Sequence, residues 1–359
     1  MRYKKKLFFI GILLLVAIII KWYSADSLRV ENGYSVGFYD NSSAVLRGLL
    51  GWLPFSFGDL LYGLTAIWLT WKLVKITRVI LQKKASKAGF INGLLKTITL
   101  FLLIYVLFNG LWGINYNRKG IAYQLGLKMD KYSLQELQAM NGILVNKANT
   151  AKQALLDAHA SYPSSKQLFA AVQQNYGAID SMYPFLKYDH RSLKTSMWGW
   201  LGNYVGFTGY YNPFTGEAQV NTTVPKFLQP FTASHEVAHQ LGYAKEMEAN
   251  FVGYLAASHS PDALFQYSVY LDLFLYSNRN LAHIDTASAK MYAGQLLPQI
   301  KEDLQEWRAF NRRHKNPVEP VIRWMYGKYL ENNQQPQGVW SYDEVTSFII
   351  AYYKKFGKI

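Results

Sequence analysis

Cysteine is absent from the 359 residues, which removes two options at once. There is no disulfide framework and no thiolate metal site, so a transition metal would have to be held by His, Asp or Glu. Acidic residues are also scarce, 23 Asp and Glu against 38 Lys and Arg, leaving a formal charge of +15. Only seven histidines occur, so two of them in register carry weight. Neither an internal repeat nor a low-complexity linker is present. Half of the residues are apolar, which excludes a disordered chain and leaves room for one large domain or two ordinary ones.

The basic excess is unevenly placed. Residues 1–116 hold 14 Lys and Arg against 4 Asp and Glu, whereas residues 117–359 hold 24 against 19. The surplus therefore lies beside apolar stretches, which is the signature of membrane topology and not of a phosphate-binding face. A nucleic-acid partner is not expected; a lipid bilayer is.

Three stretches are expected to cross it, at about 7–23, 55–71 and 97–114. The first follows Lys4, Lys5 and Lys6 and ends in Trp22 and Tyr23, at the lower limit of spanning length, and its core also suits a signal peptide. The second carries Asp59 near its start, and the third is uncharged over 18 residues. Between the second and third lie Lys72, Lys75, Arg78, Lys83, Lys84 and Lys87, against Arg29 and Arg47 between the first and second. The amino terminus and the basic loop are thus expected in the cytoplasm. Residues 1–116 then form a membrane region and residues 117–359 an extracytoplasmic domain.

In that domain, apolar residues recur at helical spacing from Leu134 through Ala158. They predict two amphipathic helices over 133–176, broken near Tyr162-Pro163. From Met197 the texture turns aromatic and β-branched, predicting a hairpin with strands 204–211 and 217–224, closed by Pro225.

Directly after it stands TASHEVAHQLGYAKEMEANFVGYLAA, 232–257. On a helix, His235 and His239 project from one face a turn apart and can present two imidazole nitrogens to one tetrahedral ion. Glu236 sits beside that face, where a carboxylate can move a proton between water and a leaving amine. Gly242 can end the helix in a left-handed turn, and Lys245 to Ser258 reads as the next helix. Glu246 and Asn250, four apart, offer a third ligand and an amide that supports an imidazole. Glu248, two residues from Glu246, points about 200° away.

The succession GYYNPFTGEAQVN, HEVAHQLG, EMEANFVGYLA and the tail YLENNQQPQGVWSYDEV resembles HExxH metallopeptidases of the gluzincin type. It is most similar to a bacterial membrane-anchored family of unknown function, DUF3810. The resemblance implies zinc as cofactor, His235, His239 and Glu246 as ligands, Glu236 as catalyst, and a peptide or protein substrate. It departs from many gluzincins in the short gap between His239 and Glu246. A metzincin would place its third ligand on Lys245, which a protonated amine cannot fill.

The expected architecture is a multi-span helical anchor followed by a mainly helical α+β zincin-like unit, with a hairpin edging the active-site helix. One hairpin strand either pairs with extended substrate or caps the helix. Tyr267, Tyr270, Tyr329 and Tyr342 are the tyrosines available as oxyanion donors. The expected activity is zinc-dependent peptide hydrolysis at a bacterial cytoplasmic membrane. The other reading is a sensor or peptide-binding protein that keeps the same ligands without turnover.

Overall fold

The computed structural model describes residues 3–84, 86–338 and 344–359. Its first helices are α1 (Lys4–Ser24), α2 (Ser27–Arg29), α3 (Asp40–Leu50), α4 (Phe57–Leu81) and α5 (Lys87–Leu111), with a π-helical segment, Val30–Tyr39, between α2 and α3. Then follow α6 (Gly120–Gln124), α7 (Leu134–Asp157), α8 (Ser165–Ile179), β1 (Leu193–Thr195), α9 (Gly199–Val205), β2 (Gly209–Asn212) and β3 (Glu217–Val220). The remainder is α10 (Gln229–Gln240), α11 (Glu246–Ser258), α12 (Ala263–Ile284), α13 (Thr286–Gly294), α14 (Pro298–His314), α15 (Glu319–Asn332) and α16 (Val345–Phe356). The chain is mostly helical around one small mixed sheet.

Capping boxes start both α7, where Ser133 and Glu136 exchange hydrogen bonds, and α8, where Ser164 and Gln167 do so. The break between them falls at Tyr162-Pro163, as the sequence predicts. The apolar face of α7 packs along α12, with Leu137, Met140 and Leu144 in one core with Leu271, Leu273 and Phe274. Next to α12, α10 and α11 are almost wholly buried and cross closely, since a Cβ on Gly253 would lie 3.0 Å from the His235 nitrogen.

The hairpin exists but is shorter than the expected strands. Tyr204 and Val205, the start of the expected first strand, instead end the helix α9, because Gly206 takes a left-handed φ of 86° and closes that turn before β2 begins at Gly209. At the far end, the Asn221 side chain accepts from the Thr223 nitrogen at 3.1 Å and turns the chain out of β3. The sheet order is β1-β3-β2, with β1 parallel and β2 antiparallel to β3, so β2 is an edge.

Among the described residues, α1 and α5 are long and apolar enough to cross a membrane, and α1 lies near the amino terminus. α4 has the same length as α5, 25 residues, but carries Asp59 at one end and Lys72, Lys75 and Arg78 towards the other.

The packing does not divide at residue 116. The carbonyls at the end of α10 lack the next helical turn's donors; the Gly242 nitrogen reaches that of His239 at 3.0 Å, and side chains of the amino-terminal third add further donors. Trp112 Nε1 donates to the His239 carbonyl at 3.1 Å, and Tyr39 Oη and Arg47 Nη1 donate to that of Gln240 at 2.9 and 3.1 Å. Arg118 reaches the Gly242 carbonyl at 3.3 Å and pairs with buried Glu31 at 2.8 Å. Gly242 itself takes φ 82°, and a Cβ there would lie 2.9 Å from the Tyr39 ring. Residues 26–59, which the sequence assigns to the membrane region, are thus built into the same body as α10.

Candidate metal centre

One turn of α10 sets His235 and His239 side by side, their rings perpendicular and 4.7 Å apart. Each Nδ1 faces a fixed acceptor at 2.8 Å, the Asn250 Oδ1 for His235 and the Tyr243 carbonyl for His239. The proton therefore stays on Nδ1 and both Nε2 atoms are the ones that meet Glu246. Its Oε2 lies 3.3 Å from His235 Nε2 and 3.5 Å from His239 Nε2. A tetrahedral ion with arms of about 2.0–2.1 Å sets its ligand atoms roughly 3.4 Å apart. The donor set therefore fits such an ion, and the three ligand atoms all lie within 4.8 Å of one another.

Glu246 is held by parts of the chain far from it. Tyr326 on α15 donates to its Oε1 at 2.6 Å, and its backbone nitrogen donates to Gln335 Oε1 at 2.8 Å. Glu248 turns the other way, to 3.9 Å from Lys245, and packs where a Cβ on Gly120 would sit. It is not among the three gathered ligand atoms.

Burial sets the charges. It raises the Glu246 carboxyl, but the two imidazoles outweigh it and hold that group well below the ordinary range. Burial also lowers both imidazoles; His235 stays low, whereas Glu246 overrides the effect at His239 and pushes it up to about 9. Glu236 is pushed up to about 8, chiefly by burial and partly offset by His239. Its Oε2 has no hydrogen-bond partner. Gly209 leaves it room, since a Cβ there would lie 2.5 Å from Glu236 Oε1.

These residues stand at the floor of a cleft of about 860 Å³. β2 forms one wall with Gly209, Tyr210 and Tyr211, α15 another with Tyr326 and Tyr329, and Tyr62 and Phe108 close it from α4 and α5. Of the tyrosines named from sequence, Tyr329 lines the cleft. Tyr267 and Tyr270 are buried in α12 instead, Tyr267 against Asp303 and Lys152 and Tyr270 against Lys147. Tyr342 lies outside the described residues. Tyr326, Trp112, Asp272 and Arg279 are cleft residues that the sequence did not single out.

A family model described as a protein of unknown function, DUF3810, matches residues 34–350. The chain belongs to the DUF3810 family. The DUF3810 match takes in α3 to α5 as well as α10 and α11, so the matched region includes residues that cap α10. No curated protein and no solved structure matches the chain.

Asp272 allows a test of the cleft's electrostatics in this DUF3810 chain. Burial pushes its carboxyl up to about 7, with Arg279 partly offsetting. A carboxyl raised in the fold binds its proton more readily folded than unfolded. Its contribution to stability is therefore greatest below the ordinary value of 3.8 and is lost as pH rises towards 7. At about 1.36 kcal/mol per pKa unit, ionisation of Asp272 costs on the order of 4 kcal/mol at pH 8. Asp272→Asn should raise the melting temperature in detergent by more at pH 8 than at pH 5. An equal rise at both values would show that the carboxyl titrates normally.

Proposed function

We propose that this chain is a membrane-anchored, zinc-dependent peptidase of zincin type whose catalytic unit faces away from the cytoplasm of a bacterial cell. The observation that carries the reading is the convergence of His235, His239 and Glu246 on one point, with the unpartnered carboxylate of Glu236 beside it. His235, His239 and Glu246 would hold the zinc ion, which when bound would supply a Lewis acid and a positive charge that lowers the pKa of water and of the adjacent Glu236 carboxyl. Glu236, so ionised, would take a proton from the attacking water and return it to the leaving amine. Trp112 and the Tyr243 carbonyl fix His239, and Asn250 fixes His235. The free edge of β2 lies along the cleft, where an extended peptide could add as a further strand by main-chain hydrogen bonds. A sensor that binds metal without turnover would have no use for a buried, unpartnered base at this position.

Helix direction supports three spans. α1 and α5 lie side by side and parallel: Tyr3 bonds the Ala88 carbonyl at one end, and Ile20 shares a cluster with Phe108 at the other. Two parallel spans need a return crossing between them, and α4 is, among the described residues, the helix there with the length for it. The same crossing puts residues 26–56 on the side of α10, to which they bond. Lys4, Lys5, Lys6, Lys83, Lys84 and Lys87 then gather at the cytoplasmic end. In a chain without native cysteine, Asn41→Cys and Glu302→Cys should react with a membrane-impermeant maleimide in intact spheroplasts, and Lys83→Cys only after permeabilisation. Labelling of Lys83→Cys in intact cells would overturn the topology.

The activity itself is tested by comparing protein amino termini in membranes and medium of cells carrying the wild type or Glu236→Gln. Termini present only with the wild type identify a substrate. Identical termini in both, with zinc bound in both, would favour the sensor.

A further inference from the structure

α15 carries apolar residues both towards the cleft and away from it. Ile322, Tyr326 and Tyr329 face the cleft, while Val321, Trp324 and Met325 are 54, 63 and 59% exposed. A helix with this pattern has a second apolar face in search of an environment. α9 repeats it beside α15: Leu201 lines the cleft, while Trp200 is 58% exposed and Tyr204 is also open. Asn316, just ahead of α15, donates to the Tyr204 carbonyl at 2.6 Å, and the rings of Tyr204 and His314 lie 5.0 Å apart. The two faces therefore belong to one surface.

Two further observations say what covers it. The surface is continuous with the outer ends of the helices read as spans: Trp198 donates to the Asp59 carbonyl at 3.0 Å and would meet a Cβ on Gly63 at 2.9 Å, while Tyr329 packs against Phe108 at the end of α5. It is also edged by exposed Arg312, Arg313 and Lys315, directly before the apolar run begins at Val318. Tryptophans beside an apolar stripe with Arg and Lys at its border are the arrangement of a segment lying in a membrane interface, the rings at headgroup depth and the cations on anionic phosphates.

We infer that α9 and the first half of α15 are immersed in the outer interface of the bilayer, so that the cleft between them opens at the membrane surface. The occupant of the apolar rim is lipid, not a second protein. This rests on the membrane-anchored reading above, and it narrows the substrates of the cleft to chains tethered in the same membrane, whose extended segments leave the bilayer beside it.

The absence of cysteine permits a direct test. Trp200→Cys, Trp324→Cys and Val321→Cys are each labelled with an environment-sensitive fluorophore in the full chain, reconstituted in nanodiscs of phosphatidylcholine and phosphatidylglycerol. Leu15→Cys on α1 and Lys290→Cys on α13, both exposed, serve as span and solvent references. Lipids spin-labelled near the headgroup should quench the three rim positions several-fold more than position 290. Lipids labelled deep in the acyl chain should quench position 15 most. Quenching at position 15 with the rim positions indistinguishable from 290 would overturn the interfacial placement while leaving the anchor intact. No quenching at position 15 would remove the anchor, and the placement with it.

Discussion

Glu246→Ala should purify without zinc, whereas the wild type carries about one ion per chain and Glu248→Ala keeps it. The difference follows from direction. Glu246 Oε2 stands 3.3 and 3.5 Å from the two Nε2 atoms, so it is the third of the donor atoms that converge there. Its loss leaves two imidazoles, and a structural or catalytic zinc ordinarily keeps at least three protein ligands. Glu248 is oriented towards Lys245 and Gly120, and Arg118 there retains its pairing with Glu31 whether or not Glu248 is present. Asn250→Ala is the intermediate case: His235 loses the acceptor that fixes its Nδ1 proton, and affinity should fall about 10- to 100-fold. Zinc stoichiometry by native mass spectrometry on the folded variants decides it. Retention in Glu246→Ala with loss in Glu248→Ala would make Glu248 the third ligand in place of Glu246, and a zinc-free wild type would end the zinc reading.

The helices of this centre were legible because their signals are local. His235 and His239 share a face by spacing alone, Gly242 marks the stop between α10 and α11, and Glu246 and Asn250 recur four apart on the next helix. Ser133 and Ser164 likewise announce α7 and α8. What holds the centre in place is not local. Tyr326 reaches Glu246 across 80 positions of sequence and Trp112 reaches the His239 carbonyl across 127, and no periodicity encodes either. For the same reason, nothing in the sequence connects Tyr39, Arg47 and Glu31, in the loop between the first two expected spans, with the end of α10 that their side chains cap and brace. Tyr267 and Tyr270, two of the four tyrosines among which the sequence made no choice, show the converse case. Their residue type suits an oxyanion donor, but only the fold shows that α12 turns them into its core and presents Asp272, Tyr276 and Arg279 to the cleft. β1 is three residues long and leaves no pattern at all, and the aromatic run before β2 read as strand until Gly202 and Gly206 set a helical turn there.

Glu236→Gln should abolish peptide cleavage while leaving zinc in place, and Gly209→Ala should approach the same result without touching an ionisable group. Glutamine keeps the shape of the side chain and removes its capacity to take a proton, so the loss expected is that of a general base, about 10²- to 10⁴-fold. The prediction for Gly209 comes from space. A Cβ at that position would stand 2.5 Å from Glu236 Oε1, 2.8 Å from its Cγ and 2.9 Å from its Cδ, so the carboxylate must rotate away from its place beside His235 and His239. Neither substitution removes a ligand atom, since β2 contributes none to the three that converge. Cleavage of a peptide library by purified protein in nanodiscs, with zinc measured on the same samples, separates the outcomes. Loss of turnover with one zinc per chain in both variants is expected. Full turnover in Glu236→Gln would exclude this carboxylate as the base, and full turnover in Gly209→Ala alone would show that its position relative to the ligands is not what the reaction requires.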